Sequence, residues 1–310
     1  MKYLLLVRYK NLLLLLVMFL VFKFGFLDLQ HIPLALSNAQ YSLLVLSILF
    51  ITAAGYVIND IMDQETDAIN KPNRVIIEKS ITENQGYTIY VVLNCIGVGL
   101  GFWVSNLIDK GGLSTLFIFS AAALYFYATS LKQMPVVGNL TVAFLASLSL
   151  LMVGIFNLYP ILNESNFSSI QVIFGIIFDY SIVMFWVHFC REICKDIEDL
   201  EGDKAQGMRT LPLVFGVKRT VVLLIVLLTV LFGLILKYIY SNLIAFELYG
   251  AALYVLIFIE GPLLLSGIHL IKAKSKDEFK SISTLLKWLL FFGILSIWII
   301  TLNIKYNNGN

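Results

Sequence analysis

The sequence predicts an all-α fold: a polytopic membrane protein with nine transmembrane helices in one bundle, a single domain over residues 1–310. Two observations carry that prediction. Hydrophobic residues make up 59% of the chain and charged residues only 14%, against roughly a quarter charged in soluble domains. The apolar residues also gather into runs of about 20, the length an α-helix needs to cross a bilayer. A net charge of +2 implies no nucleic-acid partner, so the placement of charge matters more than its sum.

The apolar runs fall near residues 11–27, 41–58, 87–108, 114–131, 140–159, 170–190, 221–240, 248–271 and 285–304. The first follows Lys2, Arg8 and Lys10, as in a signal peptide, but no small-residue cleavage site comes after it, so it is read as a retained span. Lys23 near its end is expected to snorkel toward the membrane surface. Cys95, Cys190 and Cys194 lie in or beside the spans; an odd set argues against a disulfide framework, and Cys190 with Cys194 is read as core rather than metal site.

All 22 Lys and Arg residues except Lys23, Lys110, Lys237 and Lys305 fall on one side of such a bundle. The positive-inside rule then places the N-terminus and the basic loops in the cytoplasm and the C-terminus outside. Two connections on that side, 59–86 and 191–220, are long, and long loops in compact domains are usually functional. Each has helical character near its carboxylates, and Pro72 and Pro212 mark where that helix is not expected to continue.

Those two loops hold the chemistry. In NDIMDQETDAINKPNR, Asp60, Asp63 and Asp67 are spaced i, i+3, i+7, which on an α-helix confines them to an arc of roughly 60°. In KDIEDLEGD, Asp196, Asp199 and Asp203 repeat the spacing at a constant offset along the chain. Converging carboxylates repel, each close pair by about 4 kcal/mol at an effective dielectric near 20, and cations relieve this. Hard oxygen ligands suit Mg²⁺, which takes one or two carboxylates and completes its shell with water and substrate phosphate. Lys71, Arg74, Lys132, Lys195, Lys204 and Arg209 accompany the acids. Carboxylates together with Lys and Arg suit a metal-bridged diphosphate.

These residues resemble the UbiA superfamily of intramembrane prenyltransferases. NDIMDQETD looks like its first aspartate motif, KDIEDLEGD is similar to its second, and Tyr127 with Lys132 in YATSLK resembles its Tyr-x4-Lys element. REICKDIEDLEGD, GMRTLP and LKQMPVVGN most resemble the ether-lipid branch, the digeranylgeranylglyceryl phosphate synthases. The resemblance implies a bundle around a central chamber with helical cytoplasmic caps. It implies transfer of a polyprenyl group, best matched by geranylgeranyl, from its diphosphate to a lipophilic acceptor. That acceptor would be geranylgeranylglyceryl phosphate, with an aromatic quinone precursor as the alternative.

Carried onto this chain, Asn59, Asp60 and Asp63 would hold one Mg²⁺ and Asp196 and Asp199 a second. Lys132, Lys195 and Arg209 would take diphosphate oxygens, with Arg74 and Tyr127 nearby, while Asp67 and Asp203 would orient the basic residues. Glu192, Glu198 and Glu201 are all present as bases for the acceptor proton. A divalent-cation or solute transporter is the rival reading, since it too needs clustered carboxylates, but its ligands belong near mid-membrane. Asp179 and Glu260 fall inside predicted spans, where they either line the chamber or pair structurally. His188 is read as a core histidine, and the Lys272–Lys280 run as a contact with anionic lipid head groups.

Overall fold

The computed structural model describes residues 1–72 and 75–307; Asn73 and the candidate Arg74 lie outside the described residues. Nine helices among the described residues are long and apolar enough to span a bilayer. They run Tyr9–Gln30, Asn38–Met62, Glu83–Leu107, Gly111–Thr129, Val137–Ile161, Phe167–Glu198, Val217–Ile244, then Tyr249–Lys272 with a π-helical stretch at Leu256–Glu260, and Lys276–Asn307.

Local sequence sets several of these starts. Ser37 accepts from Gln40 N–H at 3.3 Å while the Gln40 side chain accepts from Ser37 N–H at 2.9 Å, a capping box that begins the second span. Thr82 and Gln85 repeat the device at the third. Such caps are worth about 1 kcal/mol each. The second and third spans then pack tightly: a Cβ on Gly97 would fall 2.7 Å from Ile51, and Ser47 donates to the Gly97 carbonyl at 2.6 Å. In lipid, where helices gain little from hydrophobicity, small residues and such bonds hold them together.

Two expectations are corrected. Neither aspartate set lies on one continuous helix. The second span ends at Asp63, and a cap helix restarts at Gln64–Asn70; the sixth ends at Asp199, and a second cap helix restarts at Leu200–Ala205. The 60° arc therefore applies only within each half of a motif. As expected, neither cap helix runs through its proline; Pro212 opens a separate helix at Leu211–Phe215, where its missing N–H costs nothing. Lys23 does not snorkel; it is buried and donates to Asp28 at 2.6 Å.

Between the spans lies a chamber of ≈ 580 Å³. Leu14, Met18, Ile51, Leu124, Leu150 and Ile294 give it apolar walls. Arg8, Asn59, Tyr127, Glu192 and Lys195 line it at the end carrying the aspartates, and Asp179, Lys237 and Asn242 line it far from that end.

Candidate active site

The two helix junctions share one backbone geometry. Asp63 sits at φ −96°, ψ 7° and Asp199 at φ −98°, ψ 10°, in the sparsely populated bridge region where many active-site residues are found. Each junction turns the chain from a spanning helix into a short cap helix and exposes a carboxylate at the turn. The first two aspartates of each motif thus come from a spanning helix and its junction, and the third from the cap.

The structure brings the two sets together. The Lys71 ammonium donates to Asp199 Oδ2 at 2.6 Å, across from one motif to the other. Lys132 pairs with Asp63, and Asn59 Nδ2 donates to the other Asp63 oxygen at 2.6 Å. Arg8 holds Asp60 at 2.7 Å, and Asn139 Nδ2 donates to Asp196 Oδ2 at 2.8 Å. The Arg209 backbone N–H donates to Gln133 O at 3.1 Å, which joins the second motif's loop to the segment carrying Lys132. Tyr127 lines the chamber beneath this cluster, and Lys195 lines it too while donating to Glu192 at 2.5 Å.

The surplus of acid shows in the outer pair. Burial, and then the neighbouring Asp63, push the Asp67 carboxyl up to about 6; burial, and then Asp199 and Asp63, push Asp203 up to about 7. Both would bind protons or cations more readily than an ordinary aspartate.

The donor set suits magnesium. Among the described residues no three His, Cys, Asp or Glu side chains close around a single point. That fits an ion taking one or two carboxylates and the rest of its shell from phosphate and water. Asp199 supplies a further sign: Oδ2 is held by Lys71 while Oδ1 is buried with no hydrogen-bond partner among the described residues. A buried carboxylate oxygen with nothing to accept from is costly, and a hard cation satisfies it.

Several participants escaped the sequence reading. The pairings of Arg8 with Asp60 and of Asn139 with Asp196 became visible only in the fold, although Asn139 already stood in the VVGN stretch after Lys132. Of the three candidate glutamates, only Glu192 lines the chamber. His188 also lines it, rather than sitting in the core. Asp179 takes the chamber-lining alternative, while both Glu260 oxygens are buried without partners among the described residues, which does not match the structural-pair alternative. Lys276, from the run assigned to lipid, instead turns inward to the Asn70 carbonyl at 3.0 Å.

Residues 12–291 match the UbiA prenyltransferase family. The chain belongs to that family. It is 34% identical to a digeranylgeranylglyceryl phosphate synthase of Methanobrevibacter smithii over 251 residues, 80% of this chain and 84% of that relative. The synthase of that name from Methanospirillum hungatei is 33% identical over 77% of this chain and 78% of its own length. Solved structures agree in fold. A digeranylgeranylglyceryl phosphate synthase superposes with a TM-score of 0.61 at 24% identity, covering 97% of both chains. A UbiA homolog from Archaeoglobus fulgidus bound to GPP and Mg²⁺ gives 0.58 at 16% identity, covering 96% of this chain and 99% of that one. This UbiA-family chain is accordingly an integral membrane prenyltransferase, and the transporter alternative is set aside.

Proposed function

We propose that this UbiA-family enzyme transfers a geranylgeranyl group from its diphosphate to geranylgeranylglyceryl phosphate, forming an ether bond. The observation that carries the reading is the meeting of the two aspartate motifs, crossed by the Lys71–Asp199 bond, at one end of an apolar chamber. Relatives named for that synthesis support the acceptor, and the homolog holding GPP and Mg²⁺ supports the donor class and the metal.

Asn59, Asp60 and Asp63 on one side, and Asp196 and Asp199 on the other, would hold two magnesium ions. Bound there, magnesium supplies Lewis acidity to the diphosphate. Lys132, Lys195 and Arg209 take the remaining diphosphate oxygens, with Tyr127 close by. Asp67 and Asp203 hold the basic residues in place. When the allylic C–O bond breaks, its electron pair passes to a diphosphate whose charge these cations already balance. The acceptor hydroxyl then attacks the allylic carbon and releases its proton. The apolar walls exclude water that would otherwise capture the cation. We place the aspartate end, with the N-terminus, in the cytoplasm, following the Lys and Arg asymmetry.

Purified protein supplied with Mg²⁺, labelled geranylgeranyl diphosphate and a panel of glycerophosphate and aromatic acceptors tests this. The expected product is the diether phosphate, with transfer stopped by EDTA and restored by Mg²⁺. Transfer confined to aromatic acceptors would replace the acceptor; undiminished transfer in EDTA would overturn the metal assignment.

A further inference from the structure

We infer that Asn70 is a positioning residue, whose carboxamide clasps the first cap helix to the second and sets the separation of the two aspartate motifs. The inference rests on the reading above and deepens it. Asn70 Nδ2 donates to the backbone carbonyl of Asp199 at 2.8 Å, and Asn70 Oδ1 accepts from the Gly202 N–H at 2.9 Å. One planar side chain is thus satisfied at both ends by residues 129 and 132 positions away. It is buried, at 8% exposure.

Gly202 is the complementary half. A Cβ there would lie 2.4 Å from Asn70 Nδ2 and 2.7 Å from its Cγ, so only glycine lets the amide lie against the second cap helix. Lys276, the first residue of the ninth helix, closes the arrangement by donating to the Asn70 carbonyl.

The clasp differs from the ion pair beside it. Lys71 reaches Asp199 through the carboxylate, the group a metal would claim. Asn70 uses the backbone carbonyl and leaves both carboxylate oxygens available. The link therefore does not compete with a cation for the Asp199 carboxylate. It is also made only once: Gln206, at the corresponding place after the second motif, is exposed.

The test uses inorganic pyrophosphate as probe, its binding to the detergent-purified full chain measured calorimetrically against Mg²⁺ concentration. Donor and acceptor KM are measured alongside. Asn70→Ala should raise the Mg²⁺ concentration for half-maximal pyrophosphate binding roughly tenfold, the usual scale for losing a residue that orients a metal ligand. Donor KM should rise with it and acceptor KM stay unchanged, a split that general loosening would not produce. Asn70→Asp, which keeps the shape but removes the donor, should lose comparably while still folding. Gly202→Ala should lose at least as much, and Asn70→Ala with Gly202→Ala no more than Asn70→Ala alone, because the new methyl enters vacated space. Wild-type Mg²⁺ dependence in Asn70→Asp or Gly202→Ala, or losses that multiply in the double variant, would overturn the clasp. Absence of Mg²⁺-dependent pyrophosphate binding in the wild type would instead overturn the functional reading on which it rests.

Discussion

In the first motif Asp60 lies against Arg8 and Asp63 against Lys132; in the second, Asp196 has the uncharged amide of Asn139 and Asp199 has Lys71. The backbones of the two junctions agree within a few degrees. Their electrostatic surroundings do not. The first motif is neutralised by cations from the start of the first span and from the Tyr127–Lys132 segment. The second borrows its cation from the first, through Lys71. In the outer pair burial dominates, lifting Asp203 to about 7 and Asp67 to about 6. The difference teaches that the halves are not interchangeable: matched geometry presents the carboxylates, while the first half pairs with two cations and the second with one.

The largest expected effect tests what the halves share. Asp63→Ala and Asp199→Ala should each cut turnover by at least roughly 10²-fold, the scale of losing one transition-state charge partner, while membrane insertion is kept. A wild-type rate in either would break the equivalence of the junctions. A smaller effect distinguishes the cations: Lys132→Ala should raise donor KM about tenfold with little change in acceptor KM, as loss of a charge-assisted bond predicts. The reverse pattern would move Lys132 to the acceptor.

The smallest effect concerns the unequal outer pair, in metal-free protein. Between the ordinary aspartate value of 3.8 and about 7, folded Asp203 holds a proton more often than the unfolded chain does. Its contribution to stability is therefore full at low pH and is lost as pH rises through that window. For Asp67 the window closes near 6. Melting curves in EDTA should show Asp203→Asn flattening the pH dependence more, and to higher pH, than Asp67→Asn. Equal effects would remove the asymmetry.

The spans and the motifs were legible in the sequence because each is a local signal: apolar length for one, aspartate spacing for the other. The helix breaks at Asp63 and Asp199 were not. Neither position carries Gly or Pro, and the bend follows from the cap helices packing on each other. Arg8 was legible as a basic residue on the correct side but not as the partner of Asp60, 52 positions away. Asn70 gave no signal at all, because an asparagine near a helix end is ordinarily a cap, and its partner is a glycine far along the chain.

The central claim is that the two motifs serve one diphosphate. Calorimetric titration of a non-ionisable geranylgeranyl thiolodiphosphate, in Mg²⁺, against wild type, Asp63→Ala, Asp199→Ala and the double variant tests it most directly. Two residues engaged on one ligand should couple, so the double variant should lose far less affinity than the two single losses combined. Losses that simply add, or full affinity in Asp199→Ala, would contradict a shared site.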